Sequence, residues 1–276
     1  MQARQHPIVV GVNDSDGTRA ALRWAADDAD VRGMPVRAVS AYRGSAAAKQ
    51  RAGPLVANAV EHLKANHPGV VAEGVAVEGD AAQVLLDESK HASRVVLGGH
   101  HRTRPGSSAL GSVGTAITAH SESPVIVMCG PAGMREEGAA VVVGVDGTDS
   151  SPDILAFGFE HAHTHQVPLR AVLCWHPDLL ASMSWRAAPP APDSVHDWLS
   201  DELSGLREQH PDVVVHPEVI REHAKSALLK ASQEQYLLVV GNRGGHGRAG
   251  GSLGAVSRQM LHHATCPVAV IPTQRS

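Results

Sequence analysis

The sequence contains two copies of one pattern, and this repeat constrains the fold more than any other feature. Residues 7–13 (PIVVGVN) correspond to residues 140–146 (AVVVGVD), 133 positions later. From residue 67 onward the corresponding residues lie 143 positions apart, as Gly98 and Gly241 do. One insertion of ten residues after Trp175 explains the change of spacing. A repeat of this length indicates duplicated domains rather than a solenoid of short units.

Length and composition agree with two domains. A chain of 276 residues is long enough for two ordinary domains, and we place them at residues 1–130 and 139–276. A composition of 43% hydrophobic and 19% charged residues is typical of soluble globular proteins. The net charge of −4 gives no reason to expect nucleic-acid binding. The sequence contains no run of about 18 apolar residues, so we expect no membrane span. The N-terminus lacks the apolar segment of a signal peptide.

Each copy alternates apolar, β-branched runs with segments of helical spacing. In the first copy this pattern predicts strands near 6–12, 35–42, 70–77, 94–97 and 124–129, helices near 18–32, 54–66, 81–91 and 112–120, and a loop at 43–53. In the second copy it predicts strands near 140–146, 168–174, 213–220, 236–240 and 268–272, and helices near 150–165, 194–209, 223–234 and 255–264. This order predicts an α/β fold with a doubly wound, five-stranded parallel sheet in each copy. Ligands of such sheets bind beyond the carboxyl ends of the strands. One ligand can therefore reach the ends of the first and fourth strands if these strands are neighbours.

The stretch from Tyr236 to Ser257 combines an apolar strand, a glycine-rich loop and the start of a helix. Glycine lets backbone N–H groups approach a phosphate, and a helix N-terminus adds unpaired donors and a positive dipole end. Residues 245–250 match the G-x-G-x-x-G dinucleotide fingerprint, but these glycines do not lead directly into a helix. The Gly-Lys-Ser/Thr signature of a P-loop is missing from the sequence. A G-x2-G-x9-G pattern from Gly241 to Gly254 fits better, and a flexible loop without a ligand is the alternative.

This glycine pattern resembles the ATP-binding loop of the universal stress protein family. The VGVDGT sequence at residues 143–148 and the Cys-Pro-Val sequence at residues 266–268 support the resemblance, which extends to both copies. It implies tandem Rossmann-like domains of the adenine nucleotide alpha hydrolase type, with ATP as ligand and Mg²⁺ as a counter-ion. It also implies that the last strands of two domains pair, within the chain and in a homodimer. Many members of the family bind ATP and others do not.

By this resemblance Asp146 holds the position of the family's nucleoside-contacting Asp, and the loop from Gly241 to Gly254 binds phosphate. Ala255 stands where the family has Ser or Thr, and the missing hydroxyl costs about 0.5–1.5 kcal/mol of binding free energy. The expected nucleotide-binding residues of the second copy are Gly144, Val145, Asp146, Val172, Gly241, Asn242, Arg243, Gly244, Gly254, Ala255, Val256 and Ser257.

The first copy departs further from the family pattern. Asn13 replaces the Asp, and His101 replaces the second glycine of the loop, where a side chain hinders close backbone approach. His101 and its neighbours nevertheless make this loop cationic, which favours phosphate. The expected binding residues of the first copy are Gly11, Asn13, Gly98, Gly111 and Ser112. We expect ATP mainly in the second copy.

The resemblance favours a nucleotide-dependent regulator in the stress response. It would act in the cytoplasm with slow or no ATP hydrolysis, because Asp146 is the one general base evident beside the loop. The alternative is a tandem scaffold in which degenerate nucleotide sites bind no ligand. An adenylyl-transferring enzyme is a weaker third possibility, because the sequence lacks an H-x-G-H motif. We predict no catalytic and no metal-binding residues.

Three further features have ordinary structural interpretations. His161, His163 and His165 are two residues apart along a helix and point to different sides, so we interpret them as a solvated or partly buried helix face. The proline-rich segment 175–193 is interpreted as a crossover loop rather than a lid. The three cysteines lie far apart without metal-ligand spacing, which indicates buried thiols in a reducing compartment.

Overall fold

The computed structural model describes residues 6–99, 110–130, 138–148, 151–174, 192–242 and 253–273. The chain forms two compact units, Met1–Gly133 (unit 1) and Met134–Ser276 (unit 2). In its described part each unit has five strands and four helices in strict alternation. Every strand pairing within a unit is parallel. The predicted fold class, two tandem doubly wound α/β domains, is therefore confirmed.

The sheet of unit 1 has the strand order β3-β2-β1-β4-β5. Its strands are β1 (Ile8–Gly11), β2 (Val36–Tyr42), β3 (Ala72–Glu78), β4 (Arg94–Gly98) and β5 (Val125–Met128). Its helices are α1 (Asp16–Arg32), α2 (Ala46–Asn66), α3 (Ala81–Ser89) and α4 (Ser112–His120).

The sheet of unit 2 repeats this arrangement in the order β10-β9-β6-β7-β8. Its strands are β6 (Val141–Val145), β7 (Leu169–Cys174), β8 (Val215–Ile220), β9 (Leu237–Gly241) and β10 (Val268–Ile271). Its helices are α5 (Ser151–His165), α6 (Pro192–Gln209), α7 (Ala224–Ala231) and α8 (Ala255–His263).

The central strands are buried on both faces, as their uninterrupted apolar runs predict. Ile8, Val9 and Val10 of β1 are fully buried, as are their counterparts Val141, Val142 and Val143 of β6. In each unit the first strand pairs with the fourth, β1 with β4 and β6 with β9. The carboxyl ends of these neighbouring strands therefore lie at one edge of the sheet, which meets the condition for a shared ligand.

Helix α2 begins at Ala46, so the predicted loop at 43–53 and the predicted helix start at Pro54 are wrong. Gly53 and Pro54 indicate a helix boundary in the sequence, but both lie inside α2. Two local features favour the earlier start. The side chain of Ser45 caps the helix by accepting a hydrogen bond from the N–H of Ala48, and the first three residues are alanines, the best helix formers.

Unit 1 contains a buried cluster of charged side chains. Asp28 of α1 accepts a hydrogen bond from Arg32 Nε at 2.8 Å and lies 3.0 Å from Nη1 of Arg94, the first residue of β4. These side chains are only 1–5% exposed. Because buried charges are costly unless they are paired, this cluster ties α1 to β4.

None of the helices in the described ranges combines the length and the apolar character that a membrane crossing requires.

Candidate functional site

The candidate site of unit 2 lies where β6 and β9 end. Val143 of β6 pairs with Val239 of β9, so Asp146 and Asn242, each three residues further on, follow the two strands at the same sheet edge. Helix α8 begins at Ala255, just past the glycine loop that leaves this edge. The carboxylate of Asp146, the loop base at Asn242 and the start of α8 thus lie at the carboxyl ends of the neighbouring strands β6 and β9.

Asp146 organises the turn between β6 and α5. Its Oδ1 accepts hydrogen bonds from the N–H of Thr148 at 3.2 Å, from the Thr148 hydroxyl at 2.6 Å and from the Ser151 hydroxyl at 3.5 Å. An Asx turn of this kind fixes the carboxylate against the backbone. Asp146 is half-buried, so the turn holds it in a defined orientation beside the strand ends.

Asn13 makes the same turn in unit 1. Its Oδ1 accepts from the N–H of Ser15 at 3.2 Å, from the Ser15 hydroxyl at 2.6 Å and from the Thr18 hydroxyl at 2.9 Å. Ser15 and Thr18 correspond to Thr148 and Ser151 at the 133-residue spacing. The replacement of Asp by Asn has therefore kept the turn and changed only the chemistry of the other side-chain atom.

Asn242 ties the two ends of the glycine loop together. Its backbone N–H donates to the carbonyl of Ile271 at 2.8 Å, and its carbonyl accepts from the N–H of Gly254 at 2.8 Å. Its Oδ1 accepts from the N–H of Thr273 at 3.1 Å and from the Thr273 hydroxyl at 2.8 Å. Asn242 is only 6% exposed, so its side chain serves this clamp. The predicted ligand residues Arg243 and Gly244 lie outside the described residues, as does His101.

Ser257 adds a second tie beneath the loop. Its buried hydroxyl donates to the carbonyl of Gly241 and so joins α8 to the end of β9. The hydroxyl of Ser257, which is a predicted nucleotide-binding residue, is thus engaged at the loop base. Unit 1 has glycine at all three clamp positions, because Gly99, Gly130 and Gly114 correspond to Asn242, Thr273 and Ser257.

The helix starts offer hydrogen-bond donors. Gly254 precedes α8 and Gly111 precedes α4, and neither helix receives a side-chain cap. The first N–H groups of a helix have no partner within it and lie at the positive end of its dipole. Ala255, Val256 and, in unit 1, Ser112 contribute such N–H groups, and the side chain of Ala255 is exposed.

Several of the glycines predicted to bind nucleotide lie in closely packed positions. A Cβ on Gly11 would lie 2.9 Å from a methyl carbon of Leu97, and one on Gly144 would lie 2.9 Å from a methyl carbon of Leu228. A Cβ on Gly98 would collide with the backbone of Gly17 at the start of α1. Gly111 differs from these, because a Cβ there would meet no atom of the described residues within 4 Å.

Val145 and Val172 offer only their backbones to a ligand. Both side chains are buried, and Val172 lies inside β7, paired with Gly144. Cys174, which ends β7, is equally unsuited to chemistry, because burial raises the pKa of its thiol to about 12. Burial also raises the pKa of the Cys266 thiol to about 12. Both thiols are protonated at neutral pH and therefore poor nucleophiles.

His161 is fully buried, which corrects the expectation of a solvated or partly buried face. Its ring lies 4.3 Å from that of His165 and 5.5 Å from that of Tyr236, measured between centroids. The Tyr236 hydroxyl is 2.9 Å from Nδ1 of His165. Residues four apart share a helix face, so the rings in contact are those of His161 and His165 rather than those of residues two apart.

Comparison with known proteins identifies the family of this fold. The sequence model of the Universal stress protein family matches residues 5–128 and 139–272, one match in each unit. The chain belongs to the universal stress protein family. Its tandem organisation is shared with Universal stress protein Rv2623 of Mycobacterium tuberculosis, which is 30% identical over 95% of both chains. Universal stress protein Rv1996 of the same species is 32% identical over 95% of this chain and 94% of its own.

A solved structure supports the fold independently. The crystal structure of a universal stress protein from Archaeoglobus fulgidus superposes with a TM-score of 0.76 and covers 98% of this chain and 99% of its own. Its sequence identity is 15%, so the similarity concerns the fold alone.

Proposed function

We propose that unit 2 binds ATP at the carboxyl edge of its sheet and that the protein is a nucleotide-dependent regulator with little or no catalysis. The observation that carries the proposal is the Asn242 clamp, which fastens both ends of the glycine loop beside the start of α8. A loop held at both ends loses less conformational entropy when it closes on phosphate. The N–H groups of Ala255 and Val256 would then bind phosphate oxygens.

Asp146 would contact the nucleoside end of the same ligand. A carboxylate accepts hydrogen bonds, so it suits ribose hydroxyls or a base amino group. Phosphates supply most of the ligands of a nucleotide-bound Mg²⁺, so such an ion would need little from the protein. Two chemical features support a regulatory rather than a catalytic role. Asp146 Oδ1 is engaged in its turn, and burial keeps the Cys174 thiol protonated.

The proposal includes a stress-response role, a cytoplasmic location and a homodimer, all of which rest on membership of the family. Unit 1 is expected to bind ATP more weakly. Glycine occupies all three of its clamp positions, so its loop base lacks the side-chain ties that unit 2 has.

The first test is to count the nucleotide in purified protein. The protein is denatured, and any released nucleotide is identified and quantified by chromatography and mass spectrometry. We expect about one ATP per chain, from unit 2. If none is released and nucleotide-free protein takes up no added ATP in calorimetry, the ligand-free scaffold replaces our proposal.

Asn242→Ala is expected to weaken ATP binding about tenfold without touching the ligand. The change removes the acceptor of the Thr273 N–H and hydroxyl, which costs about 1–3 kcal/mol. ATP binding must then order the loosened loop, and this ordering reduces the binding free energy by part of that amount. A reduction of about 1.4 kcal/mol corresponds to a tenfold weaker affinity. The affinity is measured by isothermal titration calorimetry on nucleotide-free protein.

Gln235→Ala is the matched control for the clamp. Gln235 makes a similar tie at the opposite end of β9, where its Oε1 accepts from the N–H of Ala140 at 2.9 Å. Gln235→Ala should lower the free energy of unfolding while leaving the affinity for ATP unchanged. Equal affinity losses in both variants would mean that general stability, rather than the clamp, controls binding.

A further inference from the structure

The strand β3 is an edge strand of the unit 1 sheet, and within the described part of the chain only β2 pairs with it. The carbonyl of Val71 accepts from the N–H of Val36 at 2.8 Å, and the N–H of Gly79 also donates to this neighbouring strand. Alternate residues of a strand bond to the same neighbour, so odd-numbered residues from 71 to 79 face β2 with their backbone groups. The backbone groups that point outward, away from β2, belong to three small residues, Ala72, Gly74 and Ala76.

The corresponding edge strand of unit 2, β8, is blocked. Pro217 lies where unit 1 has Gly74, at the 143-residue spacing. Its position is an outward one, because Val214 bonds to β7 through its carbonyl and the facing alternates along the strand. Proline has no N–H to donate, and natural proteins use it to keep other strands from pairing with a sheet edge. The edge of unit 1 therefore retains the backbone donors and acceptors that the edge of unit 2 has lost.

A groove of mainly apolar residues runs beside the β3 edge on the side of α2. Gly74 lies against this helix, since a Cβ there would be 3.0 Å from the carbonyl oxygen of Val56 and 3.0 Å from a methyl carbon of Val60. A large side chain on an adjacent strand can cover an edge glycine of this kind. The groove is lined by Gly74 and by Val56, Ala57, Val60, Glu61, Lys64 and Ala65 of α2.

The opposite face of the same edge is acidic. Arg37 of β2 is shared between two carboxylates, Glu73 at 2.5 Å and Glu88 of α3 at 2.8 Å, and the Glu73 side chain is 62% exposed. Five carboxylates line the groove on this face, namely those of Glu73, Glu78, Asp80, Asp87 and Glu88. The basic residues that line it in the described part of unit 1 are Arg37, Lys90 and His91, and Arg43 pairs with Asp80. In unit 2 the residues corresponding to Glu73 and Glu78 are His216 and Arg221.

We infer that the outer edge of β3 binds an extended segment of a partner protein in which large apolar side chains alternate with basic ones. Such a segment would pair with the outward backbone groups as an additional strand. Side chains directly opposite each other on adjacent strands share a face. The segment's residue beside Gly74 therefore faces the apolar groove, and its residue beside Glu73 faces the carboxylates. A second copy of β3 does not fit, because it would bring its own Glu73 and Glu78 to the acidic face. The inference is independent of nucleotide binding.

The probe is a fluorescent peptide of seven residues, the length of β3, in which Phe or Val alternates with Lys. One control peptide has Glu in place of each Lys, and another has the same composition with its apolar residues grouped at one end. Fluorescence anisotropy at physiological ionic strength should show that the alternating basic peptide binds at least about tenfold more tightly than either control. Equal binding of the basic and acidic peptides, or of the alternating and grouped peptides, would overturn the inference.

Ala76→Pro should weaken binding of the alternating basic peptide at least about tenfold, because proline removes an outward N–H and its ring hinders pairing. Pro217 shows that the corresponding strand accepts proline at an outward position. Val219→Pro is the matched control, since Val219 corresponds to Ala76 on the blocked edge of unit 2, and it should leave the affinity unchanged. Circular dichroism checks that both variants are folded. An unchanged affinity in folded Ala76→Pro would contradict the inference.

Hydrogen exchange of the unchanged protein tests the edge without any substitution. Saturating peptide should slow the outward amides of Ala72, Gly74 and Ala76 at least about tenfold, because they become hydrogen-bonded. Peptide binding that leaves these amides unaffected would place the peptide elsewhere and overturn the inference. Slow exchange before peptide is added would mean that the edge is already covered. The cover is a second copy if protection rises with protein concentration and the chain itself if it does not, and either result overturns the inference.

Discussion

Gly254→Val is expected to lower the affinity of unit 2 for ATP by at least about 100-fold. The backbone angles of Gly254, φ −56° and ψ 150°, are ordinary for any residue, so the fold should accept valine. The new side chain would stand at the start of α8 and keep phosphate from its N–H groups. Losing two charge-assisted hydrogen bonds of about 1.5–3 kcal/mol each accounts for the predicted effect.

The measurement is calorimetric titration of nucleotide-free protein with ATP, beside Gly205→Val as the control. Gly205 lies on the exposed face of α6, and a Cβ there meets no atom of the described part of the chain within 4 Å. The control should bind ATP like the unchanged protein. If Gly254→Val also binds ATP normally, the loop and helix start do not form the phosphate site.

The fold was predictable because each level of the sequence indicates the same answer. Apolar runs such as residues 7–13 are long enough for a strand buried on both faces, and their recurrence 133 or 143 positions later confirms each assignment twice. The start of α2 was missed where local signals conflict. Gly53 and Pro54 indicate a boundary, but the alanines after Ser45 favour a helix eight residues earlier.

The site was predictable only where a motif describes it. Asp146 and Gly254 are identified by family spacing, but the Asn242–Thr273 clamp joins residues 31 positions apart that no motif connects. One signal was available. The three clamp residues of unit 2 all correspond to glycine in unit 1, which indicates a shared role. The role itself depends on the pairing of β9 with β10, which brings the two segments together.

Asn13 shows what the structure adds to the interpretation of a substitution. In the sequence it is a lost carboxylate and therefore a damaged ATP site. In the structure its Oδ1 makes the same turn as that of Asp146, and only the second side-chain atom has changed from acceptor to donor. A motif comparison records only whether the residue at a position is the same. The hydrogen bonds show that Oδ1 keeps its role in the turn, whereas the other terminal atom of the side chain differs between Asn13 and Asp146.

Asp28→Ala is expected to lower the free energy of unfolding by about 3–5 kcal/mol, because it leaves the guanidinium groups of Arg32 and Arg94 buried without their carboxylate. The sequence conceals this effect. Asp28 and Arg32 are spaced like an ordinary surface pair on a helix, and Arg94 is 66 positions from Asp28. Only the packing of α1 on β4 shows that the pair is buried.

Asp16→Ala is the matched control, since it removes a carboxylate of the same helix that pairs with Arg19 at 3.1 Å. That pair is 77% and 84% exposed, so its loss should cost less than about 1 kcal/mol. Urea denaturation of both variants gives the two values. If Asp28→Ala lowers the free energy of unfolding as little as Asp16→Ala does, water reaches the cluster and burial does not strengthen its ion pairs. The predicted larger loss would show that Asp28 contributes strongly to the stability of unit 1.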